Sequence, residues 1–85
     1  MRFILRGKVL ELNPFDVQTI AQVRNPEPLH KHYVEVGGKL FPPKQLIEQV
    51  LQDKAYKNNE FNRLDFTTID ARSILQRLGF KCGVV

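Results

Sequence analysis

Residues 30–41 read HKHYVEVGGKLF, and this segment sets the expected architecture. Its valines alternate with polar residues, a pattern typical of a strand with one buried face. Gly37 and Gly38 favour a two-residue hairpin turn, because both central positions of a primed turn require a positive φ. The segment therefore predicts a strand over 30–36, a tight turn and a short returning strand over 39–41.

The next segment predicts a helix that starts at Pro42-Pro43, where proline ends the strand and suits the first helical turn. The apolar positions share one face, at Leu46, Ile47, Val50 and Leu51. The polar positions are expected to face water, at Lys44, Gln45, Glu48 and Gln49. Residues 52–63 are polar and Asn-rich with no clear period, which predicts a long surface loop.

The C-terminal third predicts a helix followed by a strand. Thr67 and Asp70 have the spacing of a capping box, with Asp in place of Glu. Apolar residues then repeat with helical spacing, at Ala71, Ile74, Leu75 and Leu78. Gly79 suits the left-handed position that ends a helix. A terminal strand follows, with alternation at Phe80, Cys82 and Val84.

The N-terminal third predicts one strand over 3–12, with a bulge or bend at Gly7, and then a helix that begins at Asn13-Pro14. Two prolines within 25–28 predict a loop. The whole chain is expected to be one α+β domain over residues 1–85. It would contain a small antiparallel sheet, made of the hairpin 30–41 with N- and C-terminal strands, packed with two to three helices.

Composition narrows the possible classes of protein. Hydrophobic residues make up 42% and charged residues 26% of the 85, which favours a globular chain over a disordered one. No apolar run approaches the roughly 18 residues that span a bilayer, and charge interrupts the first six residues too early for a secretory signal. We therefore expect a cytoplasmic protein that does not enter a membrane.

Motifs for catalysis or cofactor binding are weak. The single Cys82 allows neither an intrachain disulfide nor a cysteine-based zinc cluster, and it is expected to be a small core residue. His30 and His32 would share a strand face, but two ligands do not make a zinc site. Ser73 has no nucleophile elbow, and the glycine turn lacks the spacing of a phosphate-binding loop. We predict a non-enzymatic protein without a cofactor.

Charge favours an anionic partner, because 13 Lys and Arg stand against nine Asp and Glu for a net charge of +4. The sequence predicts nucleic-acid contacts at Lys39, Lys44, Lys54, Lys57, Arg63, Arg72 and Arg77, with His32 beside them. Loop side chains that could reach or stack on bases are Tyr56, Asn58, Asn59 and Asn62. Of the aromatic residues that could be either core or stacking platforms, Phe41 and Tyr33 are expected to be buried.

Two alternatives stay open at this point. The cations could form an ordinary solvated rim that Asp70 and Glu48 partly neutralise. The chain could also be a protein-interaction or regulatory module, in which Leu40 or the N-terminal strand pairs with a partner or with a second copy.

From Tyr33 onward, the order of motifs resembles a small α+β module found in restriction endonucleases that act on modified DNA, beside an HNH or related nuclease domain. The matching residues are Tyr33-Val34-Glu35-Val36, Gly38-Lys39, Phe41-Pro42-Pro43-Lys44, Phe66, Asp70-Ala71-Arg72, Leu75 and Leu78-Gly79-Phe80. The resemblance covers about fifty residues, within 30–85. It implies an accessory module that binds DNA or docks a partner, with Lys44 and Arg72 as the functional contacts.

Overall fold

The computed structural model describes residues 1–5, 7–54 and 66–85, and these form five strands and three helices. In chain order they are β1 (Arg2–Leu5), β2 (Lys8–Glu11), α1 (Pro14–Val23), β3 (His32–Val36), β4 (Lys39–Phe41), α2 (Pro43–Asp53), α3 (Thr68–Arg77) and β5 (Lys81–Val84). The predicted α+β class is confirmed. None of the described helices is both long and apolar enough to span a bilayer.

The N-terminal segment forms a hairpin, so the single strand predicted over 3–12 is wrong. β1 and β2 pair antiparallel, with Ile4 opposite Val9. Gly7 has a φ of 77° and lies between the two strands. A glycine with positive φ suits a reversal of the chain, and here it reverses the strand where a bulge or bend was expected. The N-terminal strands were predicted to join the sheet of the central hairpin. They instead form a separate two-stranded sheet.

The second sheet has the strand order β4-β3-β5 and is antiparallel throughout. The central hairpin is confirmed, with Gly37 and Gly38 both at positive φ. The C-terminal strand joins this sheet as predicted, and His32 lies opposite Val84. Because β3 is the middle strand, its first residues lie between the C-terminal end of the chain and the segment that leads into α2.

Capping fixes where α1 and α3 begin. In α1 the Asn13 side chain accepts from the Asp16 N–H, and the Asp16 carboxylate accepts from the Asn13 N–H. Thr67 and Asp70 form the same reciprocal pair in α3, as predicted. Each box satisfies backbone donors that a helix start otherwise leaves unpaired.

Helix α2 begins at the predicted prolines but continues to Asp53, so the predicted loop over 52–63 starts too early. Leucine, isoleucine and valine on the buried face extend the helix through Leu51, and the polar residues that follow complete its last turn. The rest of that predicted loop, residues 55–63, lies outside the described residues.

One buried cluster joins both sheets and all three helices. It includes Leu10 from β2, Ile20 from α1, Phe41 from β4, Leu46 from α2 and Leu75 from α3. Phe41 is fully buried as predicted, whereas Tyr33 is half-buried. Gln45 was expected to face water, but it is only 1% exposed. Gln45 lies in the first turn of α2, at the candidate site.

Candidate nucleic-acid interface

A groove lies where the loop before β3, the first residue of β3, and the first turns of α2 and α3 meet. Its volume is about 410 Å³. Its walls include His32 from β3, Lys44 from α2 and Thr68 from α3. We call it the cationic groove, because three of the cations described below lie in it or beside it.

Gln45 holds one wall of the cationic groove in place. Its side-chain Oε1 accepts from the Glu27 N–H at 2.9 Å, and its Nε2 donates to the Asn25 carbonyl, also at 2.9 Å. A proline-rich loop is thereby tied to the first turn of α2. In the sequence, the only indication that Gln45 is buried is its position directly before Leu46, at the edge of the apolar face of α2. Its hydrogen-bond partners become evident only in the fold.

Lys31 and Lys44 line the cationic groove, and Arg72 lies beside it. Arg72 is one helical turn beyond Thr68, and its Nη1 lies 2.9 Å from Nδ1 of His32. Among residues 1–5, 7–54 and 66–85, no carboxylate forms an ion pair with any of these three cations. Glu27 also lines the groove, but the two lysines of the lining outweigh its single negative charge, and Arg72 adds a further positive charge beside them.

The Lys44 ammonium lies above the Phe66 ring, with Nζ 6.0 Å from the ring centroid. Phe66 is buried just before α3, so this contact brings the lysine toward the start of that helix. An ammonium at this distance is weakly attracted by the ring face. The contact positions the charge while leaving its hydrogen-bond donors available to an anion.

The start of α2 adds to the positive potential at the groove. Pro42 and Pro43 have no N–H, and within the described part of the chain no side chain caps this helix. The N-terminus of a helix carries a partial positive charge. Because the two prolines present no N–H to an anion, this contribution is smaller than at an ordinary helix start, and Lys44 supplies most of the charge at this end of α2.

Of the other predicted contact residues, Lys39 and Lys54 do not lie at the groove. Lys39 Nζ donates to the Ala21 carbonyl at 3.0 Å and stabilises the C-terminal end of α1. Lys54 forms an ion pair with Asp16 at 3.0 Å, about 15 Å along α2 from Lys44 at 1.5 Å per residue. This ion pair also places the start of α1 at the far end of α2.

Arg77 is separate as well, because its guanidinium lies over the Phe3 ring at 4.9 Å from the centroid. That contact ties the end of α3 to the N-terminal hairpin. Lys57 and Arg63, like Tyr56 and the loop asparagines, lie outside the described residues. Of the predicted residues within the described part of the chain, only Lys44 lines the groove and Arg72 lies beside it, bound to His32. Lys31 also lines the groove, although the sequence did not single it out.

Cys82 lies next to this region and interacts with Arg72. Partial burial raises the pKa of the Cys82 thiol above its ordinary value of 9.0, while the charge and hydrogen bond of Arg72 oppose that shift. The thiol is therefore protonated at neutral pH, in keeping with a structural residue. In the described ranges no group of three or more His, Cys, Asp and Glu side chains could hold a metal ion.

Comparisons with known proteins found no matching family model, no matching curated protein and no matching solved structure.

Proposed function

We propose that this chain is a non-enzymatic accessory domain that binds nucleic acid, specifically DNA, through the cationic groove. The observation that supports this most is that Lys31 and Lys44 line one concave site and that Arg72 binds His32 in its wall, all three without an ion pair to a described carboxylate. Cations that no carboxylate neutralises can bind phosphates and release counterions, which is the main source of nucleic-acid affinity. Lys44 and Arg72 are also the two residues that the resemblance to restriction-enzyme modules carries over.

Charge placement supports phosphate contact over an ordinary solvated rim. In the rim interpretation the cations lie in solvent and carboxylates such as Asp70 and Glu48 partly neutralise them, as Asp16 does for Lys54. Lys44 instead lies over an aromatic ring, and Arg72 donates a hydrogen bond to Nδ1 of His32. Neither cation forms an ion pair with a carboxylate among the described residues, which favours phosphate contact.

The test is fluorescence anisotropy of labelled duplex and single-stranded DNA with the whole chain, at about 50 mM and about 200 mM salt. If three phosphates are contacted, affinity for duplex should fall about 40-fold over that range, since the slope is about 0.9 per contact. Absence of binding to either DNA at the lower salt concentration would reject the proposal.

A protein-interaction role is the second candidate, and the N-terminal hairpin is the observation that favours it. Ile4 and Val9 are cross-strand partners on its outer face, and they are 75% and 59% exposed. Leu40 on β4 is 39% exposed. Sedimentation of the chain as a dimer, reversed to monomer by Ile4→Lys, would favour this role, particularly if DNA is not bound.

A further inference from the structure

We propose that the cationic groove takes one unpaired nucleotide, so that the preferred ligand is single-stranded or locally opened nucleic acid and not regular duplex. This inference rests on the proposed function and specifies the ligand of the same site. It follows from the size, the lining and the rigidity of the groove.

The size of the groove matches one small ligand. Pockets for small molecules have volumes of about 300–1,000 Å³, and the groove, at about 410 Å³, is at the lower end of that range. A single nucleotide that is unstacked from its neighbours is a ligand of this size. A regular duplex presents its phosphates on the outside of a wide cylinder, and its bases cannot enter such a groove.

The lining combines rings with cations. The wall includes three prolines and two histidines, which are Pro28, Pro42, Pro43, His30 and His32. Imidazole rings offer flat faces, and histidine is one of the side chains on which unpaired bases stack. The saturated proline rings add apolar surface beside them. Lys31 and Lys44 on the same wall supply charge for the phosphate of that nucleotide.

Hydrogen bonds within the chain hold one wall of the groove in place. Gln45, nearly fully buried, fixes the Asn25 and Glu27 backbone to the first turn of α2, and Pro28 follows directly in the same loop. A wall held by two side-chain hydrogen bonds loses little entropy when a ligand enters. A single nucleotide therefore meets a prepared site.

The experiment compares three labelled probes with the native chain: a duplex, the same duplex with one bulged nucleotide, and the single strand. We expect the bulged duplex and the single strand to bind about tenfold more tightly than the regular duplex, from the stacking of one base. Equal affinity for all three probes would overturn this inference while leaving the proposed function standing. Binding to none of them would reject the proposed function itself.

Variants locate the stacking surface. His30 is exposed, so His30→Ala should fold and should reduce the preference for the bulged duplex, whereas His30→Phe should keep it. Phe15→Ala is the matched control, because Phe15 is an exposed ring in the first turn of α1, at the far end of α2 from the groove. A preference that survives His30→Ala unchanged, or that Phe15→Ala removes equally, would place the base elsewhere and overturn the assignment.

Discussion

Arg72 and His32 join α3 to β3 through one hydrogen bond, with Arg72 Nη1 2.9 Å from His32 Nδ1. A guanidinium has only donors, so in this hydrogen bond Arg72 Nη1 donates and His32 Nδ1 accepts. His32 lines the cationic groove, and the bond therefore fixes the guanidinium beside it.

Replacing His32 with phenylalanine keeps a ring but removes the acceptor. We expect the free energy of unfolding to fall by about 1 kcal/mol, the usual net contribution of such a bond. Urea denaturation measures the change, and His30→Phe is the control, since it alters an exposed neighbouring ring without touching the bond. Equal midpoints for the two variants would mean that the bond contributes no stability.

Gln45→Ala tests the wall of the groove. It would remove the partner of the Glu27 N–H and of the Asn25 carbonyl, and the loss of two part-buried hydrogen bonds should cost about 1–3 kcal/mol in total. Thermal denaturation should show a clear loss of stability. Gln52→Ala, on an exposed position of the same helix, should stay within about 0.5 kcal/mol of the native chain. Similar losses of stability in both variants would show that the two hydrogen bonds from Gln45 to the loop do not stabilise the chain.

Gly83 faces the ring of Tyr33 on the neighbouring strand. A Cβ at this position would overlap Cζ and Oη of Tyr33, so Gly83→Ala should destabilise the chain by about 1–3 kcal/mol through overpacking. Adding Tyr33→Leu should recover part of that loss, because it removes the obstructing ring. If the double variant is as unstable as the sum of the single variants, the contact is not the cause.

The raised pKa of Cys82 predicts how stability depends on alkaline pH. Burial favours the protonated thiol in the folded state, so its contribution is fully present below the ordinary value of 9.0 and is lost as pH rises through the folded pKa. Cys82→Ala removes this dependence. Urea denaturation from pH 8 to about 10.5 should show a steeper loss for the native chain than for the variant. Parallel curves would contradict the shift.

Local patterns predicted the central hairpin and the three helix starts, because glycine turns, capping residues and proline act over a few residues. The sequence does not specify that Gly7 reverses a strand instead of bending it, since both outcomes need the same positive φ. The burial of Gln45 was not predicted either, because its hydrogen-bond partners Asn25 and Glu27 are distant along the chain.

The predicted cations also show that local sequence patterns do not reveal contacts between residues distant along the chain. Charge alone could not tell Lys44, which lies at the groove, from Lys39 and Lys54, which are bound to a helix carbonyl and to a carboxylate. Those assignments depend on which helix ends meet in the fold. Tertiary contact, and not composition, therefore decides which cations remain available.

The most direct test of the central claim is the affinity of Lys44→Glu for duplex DNA at low salt, compared with that of Lys81→Glu. Both variants make the same charge change at a lysine, but Lys81 is exposed opposite Glu35, about 10 Å along the sheet from the His32 pair. We predict that Lys44→Glu weakens binding at least tenfold and lowers the salt slope by about one or more, while Lys81→Glu changes affinity less than threefold. Equal weakening by both variants, or none by Lys44→Glu, would contradict a phosphate site at the cationic groove.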